Sequence, residues 1–249
     1  MKKLLIFALL VGWAMLGLAQ VPDTIAVHPR NVFKFLPVNL PFQTISLQYE
    51  GMVSPRSSLV LGVGFPNQQS VIGKYDITFD PDLVRAELGT THIRTALRFY
   101  YTGKSYHPNG FYFEPYLKYQ HIKGNSYIVG FADKTHKPYE GIQDLNFNTF
   151  NLGFQLGVQF MLAKFITFDL YFLGIEAGLL NGRVYSESPS ATQGTLVRNK
   201  IEGAINDMNL PSFIGDRITV TQTGYRVKAT ADNVVYPWYR GGISIGIAF

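Results

Sequence analysis

Lys34, Glu50, Arg94, Arg98, Glu114, Lys118, Asp169, Glu176 and Arg240 all fall on the same parity of segments whose other parity is strongly apolar. Charges held away from water must pair or be hydrated. These five cations and four carboxylates therefore suit one of two chemistries. They could form an ion-pair network that fills an interior and fixes strand register, or line a path for protons or ions. The network is favoured, because an eight-stranded interior is just wide enough to be filled by side chains. Arg94 and Glu114, on neighbouring strands, are the expected pair.

Acyl-transfer chemistry would need a nucleophile, a base and an orienting group within hydrogen-bond reach. His92, inward at the outer end of a strand, is the candidate base, with Ser186 or Glu187 at the outer end of another strand. Of His28, His107, His121 and His136, His121 falls on the outward parity. No GxSxG elbow and no HExxH motif occurs. A lone inward histidine is more often a hydrogen-bonded structural group, so no catalytic residue is expected. The chain has no cysteine, which excludes disulfides, thiolate metal sites and a cysteine nucleophile. Asp76, Asp80 and Asp82 do not meet the calcium-loop pattern. Asp80 and Pro81, followed by 83–88 and Gly89, read instead as a short capped helix. No metal and no cofactor is expected.

The elements that must position these residues are strands. In 148–162, Phe150, Leu152, Phe154, Leu156, Val158, Phe160 and Leu162 oppose Asn151, Gly153, Gln155, Gly157 and Gln159. Strict period-2 alternation marks a strand with one apolar and one polar face. The same pattern recurs over 31–38, 45–50, 58–65, 93–101, 111–122, 165–184 and 235–249. In 165–184 the phase slips near Leu173 or Gly174, which reads as a β-bulge. Short links (52–57, 103–110, 163–164) alternate with long ones (67–92, 123–146, 185–234), the exception being a short outer turn at 39–42. The expected fold is all-β: a closed, antiparallel, eight-stranded transmembrane β-barrel with long external loops and one loop helix.

Lys2 and Lys3, the apolar run 4–18, and the small residues Gly17 and Ala19 have the layout of a secretory signal peptide. The expected division is a signal peptide at 1–19, a periplasmic segment at 20–30 and the barrel at 31–249. No later run is long and apolar enough for a membrane helix. The mild excess of 22 Lys+Arg over 17 Asp+Glu argues against nucleic acid as a partner.

The longest link, 185–234, is too long for a plain connector. Val197, Ile201, Ile205 and Met208 recur at helical spacing, predicting a helix over 195–208 that ends before Pro211. Beyond it, 217–221 and 225–229 alternate around Gly224, as an external hairpin or as an extension of the barrel wall. The helix reads either as a cap over the barrel mouth or as a docking face for a partner protein or glycan. Tyr127, Phe131 and Tyr139 could share that face or join an interfacial aromatic belt.

Ending on Phe249, the segment "GGISIGIAF" is similar to the signal by which barrel-assembly machinery recognises outer-membrane proteins. The whole resembles the OmpA transmembrane domain. "NVFKFLPVNL", "ISLQYEGMVSPRSSLVLGVGF" and "WYRGGISIGIAF" resemble DUF3575-type outer-membrane barrels common in Bacteroidota. The resemblance spans 31–249 and implies the bacterial outer membrane, contact with its lipid, and the assembly machinery as a partner during biogenesis. It implies no activity, and the peptidoglycan-binding domain of full OmpA proteins is not expected after Phe249. The expected function is a non-enzymatic, structural or accessory protein that presents external loops to a partner. The runners-up are a lipid-modifying enzyme (acyl hydrolase or acyltransferase) and a narrow channel or small-molecule binder.

Overall fold

Alternating polar and apolar side chains build ten strands in the computed structural model, which describes residues 29–42, 44–66, 75–79, 82–101, 107–131, 138–162, 165–207 and 212–249. The strands are β1 (Asn31–Phe35), β2 (Thr44–Ser54), β3 (Ser57–Pro66), β4 (Tyr75–Phe79), β5 (Asp82–Tyr100), β6 (Gly110–Phe131), β7 (Pro138–Leu162), β8 (Ile166–Glu187), β9 (Ile218–Thr223) and β10 (Arg226–Ala248). A 3-10 turn (Pro37–Phe42) and the helices α1 (Ala191–Asp207) and α2 (Ser212–Gly215) complete the described chain. Residues 1–28, which hold the expected leader, lie outside the described residues, as do Asp80, Pro81 and Met208.

All pairings are antiparallel, and β1 pairs with both β2 and β10. Eight strands thus form a ring in the order β1, β2, β3, β5, β6, β7, β8, β10, with β4 added to β5 and β9 to β10. The joining strand is short. Val32, Phe33, Lys34 and Phe35 face Ala248, Ile247, Gly246 and Ile245. One further rung extends the seam, where Phe249 N donates to Asn31 O at 2.9 Å and Asn31 N to Phe249 O at 3.1 Å. That seam lies at the end of the ring carrying the β2–β3 turn, here called the near end.

The two faces of one strand show what the ring does with polarity. On β5, Arg94 and Arg98 are 2% and 1% exposed, whereas Ile93 and Leu97 are 62% and 47% exposed. Soluble folds place these residue types the other way round. The expected phase slip is present on β8. Phe172 and Leu173 both face outward, and the register with β7 and β10 shifts there. The extra residue restores the inward phase, so Tyr171 and Glu176 both point inside despite opposite parity. A second irregularity lies between Ala231 and Val234, with Asn233 at φ 49°. Asn181 holds it, accepting from Asn233 N at 2.8 Å and donating its amide to Asn233 Oδ1 at 3.0 Å. Asparagine tolerates this left-handed backbone better than other non-glycine residues.

The ring is taller on one side. β1 has 5 residues and β3 has 10, whereas β7 has 25 and β10 has 23. Much of the chain expected as loops is therefore wall. The capped helix expected at 80–89 is replaced by β5, which starts at Asp82 and pairs with β4 and β6. Pairing on both edges outweighs a local capping pattern. Tyr127 lies within β6, Phe131 at its end and Tyr139 within β7, rather than in loops.

The last long link holds the expected helix and hairpin. α1 begins with Ser190 Oγ accepting from Gln193 N at 3.3 Å, an N-cap contact. β9 and β10 join through a two-residue turn with Gly224 first at φ 61°, the geometry a type II′ turn needs. Val197 is buried against Val227, with Leu196, Ile201 and Val220 packed around them. Val197 and Ile201, expected as a docking face, are thus already covered by the hairpin of their own chain. A Val197→Asp variant is expected to release α1 and leave the ring intact. Limited proteolysis should then cut within 191–207 at least tenfold faster, with unchanged heat-dependent gel migration.

Candidate functional site: the charged interior of the ring

Each ring strand sends alternate residues inside, and at the near end these make one connected network. Lys34 Nζ lies 2.6 Å from Glu50 Oε2 and 2.9 Å from Asp169 Oδ2. Arg98 joins both from the opposite wall, its Nη1 at 2.9 Å from Asp169 Oδ2 and 3.3 Å from Glu50 Oε2. Arg98 Nε also pairs with Glu114, which pairs in turn with Arg94 Nη2. Three cations and three carboxylates from β1, β2, β5, β6 and β8 thus meet inside the ring.

Uncharged neighbours use the remaining lone pairs. Tyr100 and Ser58 hydroxyls donate to Glu50 Oε1 at 2.5 and 2.6 Å, and Tyr112 OH donates to Asp169 Oδ1 at 2.7 Å. Gln159 Oε1 accepts from Lys34 and Arg98, both at 2.5 Å, while its amide donates to Pro108 O at 3.0 Å. The Arg98 guanidinium lies 3.7 Å from the centre of the Tyr112 ring. Buried charges are tolerable only with this degree of satisfaction. At this level side chains fill the interior.

Toward the far end the pattern changes. Lys118 Nζ pairs with Glu176 Oε1 at 2.8 Å, and Tyr116 OH donates to Glu176 Oε2 at 2.7 Å. Asn151 Nδ2 reaches Glu176 Oε1 at 3.2 Å, and Tyr236 OH donates to Asn151 Oδ1 at 2.8 Å. Arg240 has no carboxylate in ion-pair range among the described residues. Its guanidinium lies over the rings of Tyr116 and Tyr171, 5.2 and 5.0 Å from their centres.

All nine charged residues singled out from the sequence face the interior. Six share the near network, Lys118 and Glu176 pair separately, and Arg240 stands apart from both. Sequence reasoning did not assign roles to Tyr100, Tyr112, Tyr116 and Gln159, although each lies on the inward parity of its strand. Polar residues on that parity, long enough to cross the interior, were the usable signal.

The residues of the enzyme reading do not converge. His92 packs against Gly64, where an added Cβ would sit 2.2 Å from its ring. Ser186 is level with Gln143, Ser126 and Ala86, six residues along β5 from His92. At roughly 3.3 Å per residue that separates them by about 20 Å. Glu187 is exposed and pairs with Arg226 at 2.7 Å. His121 is held outside the ring by Asn148, with Nδ1 to Oδ1 at 2.7 Å. Among the described residues no group of three His, Cys, Asp or Glu is placed to hold a metal, and no helix is long and apolar enough to cross a membrane.

An antiparallel ring of eight strands with a charged interior and an apolar exterior defines the class of this protein. Comparison of the chain with family models, curated proteins and solved structures finds no match.

Proposed function

We propose that the chain is a non-enzymatic outer-membrane protein. Its ring is a closed β-barrel in the lipid, and its tall wall is a structural or accessory surface for a partner outside the cell. The observation that carries this reading is the inverted polarity of the ring. Large apolar residues such as Phe33, Leu61, Ile93, Phe113, Leu152 and Ile245 cover its outside, while ion pairs fill its inside. Monomeric soluble proteins rarely expose so continuous an apolar surface, and a bilayer is the solvent that suits it. A ring also leaves no row of unpaired backbone groups facing lipid where its strands meet. The near end of the interior, filled by paired side chains, supports a structural role over conduction. The leader at 1–19, the terminal Phe249 and the DUF3575-type resemblance belong to the same reading. Residues 1–19 direct export, and the assembly machinery inserts the barrel.

The test is gentle detergent extraction of a tagged copy from outer membranes, followed by the mass and composition of what is recovered. A second protein in fixed ratio, released by substitutions on the exposed wall, supports the accessory reading. Recovery of this chain alone, at its own mass, removes it. Recovery in the soluble fraction would remove the membrane assignment as well.

A further inference from the structure

We propose that the far half of the ring is a binding site for a small oxyanion, the carboxylate or phosphate group of a solute, held by Arg94, Lys118 and Arg240. Four observations converge on it.

The first is charge. The near network balances three cations with three carboxylates, whereas among the described residues the far half adds Lys118 and Arg240 against Glu176. One positive charge is uncompensated in a partly enclosed space, where a counter-charge is worth most.

Register supplies the second. Arg94 and Lys118 are direct cross-strand partners on the interior face of β5 and β6. Like charges placed directly opposite repel unless an anion lies between or beside them. Glu114 serves one nitrogen of Arg94 and Glu176 serves Lys118, which leaves the facing pair without a shared counter-ion.

The third is an unsatisfied donor set. Arg94 is buried, yet its Nε and Nη1 have no hydrogen-bond partner. Buried guanidinium nitrogens are among the costliest groups to leave unpaired. The guanidinium face is taken by Tyr116, 4.4 Å from the ring centre, so the free N–H groups point in its plane. Arg240 lies over the same ring. Both guanidiniums are therefore gathered around one tyrosine.

The fourth is access. Trp238 is the register partner of Glu176 and shares its interior face. Yet Trp238 is 58% exposed, whereas Glu176 is buried. That face is thus open to solvent at Trp238, two residues from Arg240. A planar or aliphatic body attached to the anion would rest against Trp238 while the oxyanion meets the arginines, an arrangement both groups favour. The proposal concerns the ring interior alone and does not depend on a partner protein.

Trp238 is the only tryptophan past residue 19, so its fluorescence reports on the site. The experiment titrates inorganic phosphate, and separately acetate, into the folded chain in detergent at constant ionic strength. Melting temperature is followed in parallel. A saturable fluorescence change at millimolar phosphate and a rise in melting temperature are expected. In Arg240→Gln the apparent affinity should fall at least tenfold, and in Arg240→Lys, which keeps the charge, only a few-fold. A wild-type protein with neither a saturable change nor a melting shift overturns the proposal. So does an equal response in wild type and Arg240→Gln, which would reduce the effect to screening. Should Arg240→Gln not fold, Arg240→Lys and the wild-type titrations decide the matter between them.

Discussion

Replacing Arg98 with methionine is expected to cost the fold about 3–5 kcal/mol, the penalty of leaving buried charges without their partner. The guanidinium is the hub of the near network, touching Glu114 through Nε and Asp169, Glu50 and Gln159 through Nη1. Without it Lys34 and Arg94 alone would face Glu50, Glu114 and Asp169. Urea unfolding of the protein refolded into vesicles measures the loss. The mechanism makes a second demand. Adding Glu114→Gln and Asp169→Asn to Arg98→Met should recover part of the stability, since fewer unpaired charges remain. A single variant within about 1 kcal/mol of wild type would mean that water, not protein, satisfies these groups.

A valine at Gly157 is expected to cost about 1–3 kcal/mol through overpacking, with the loss of the Tyr112–Asp169 hydrogen bond added to it. A Cβ at this inward position would lie 2.3 Å from Tyr112 Oη and 2.7 Å from the backbone oxygen of Leu170. The tyrosine could move, but the strand backbone could not follow. Displacing Tyr112 removes a donor from Asp169 and the aromatic face on which Arg98 lies. Pairing Gly157→Val with Tyr112→Phe separates the parts, because phenylalanine lacks the hydroxyl but keeps the crowding by the ring carbon at 2.5 Å and by Leu170 O. Equal destabilisation by Gly157→Val in both backgrounds assigns the cost to crowding alone.

Period-2 alternation located all eight ring strands and told inside from outside, because contrasting environments on the two faces impose that period. It failed where the contrast ends. At 82–91, 123–131 and 138–147 the strands continue without a regular apolar face, and Asp82, Arg85, Lys123 and Asp144 interrupt the pattern. There, strand pairing alone holds the extended backbone, and local reading took Asp80 to Gly89 for a capped helix. Arg94 and Glu114 could be matched because inward residues of adjacent strands are near each other in any register. Lys34 with Asp169 could not, since they are 135 residues apart and meet only once the ring has curved. Arg98 crossing to Asp169 had the same obstacle. The face of α1 was legible as apolar, but its partner was not, because Val227 becomes its neighbour only when β10 folds back.

If the ring spans a lipid bilayer as proposed, its unequal height would set two parts of one chain in different surroundings. About 9–11 residues of a tilted strand cross a bilayer. Of the 25 in β7, roughly 14 would then stand clear of it, about 35 Å at ~3.3 Å per residue and ~40° tilt. None of the near network lies in that raised portion. On the proposed outer-membrane reading, antibodies and phage would meet the raised wall and not the membrane-embedded end. Surface variation under such attack could proceed there while the ion pairs that hold the ring, and the arginines within it, stay untouched.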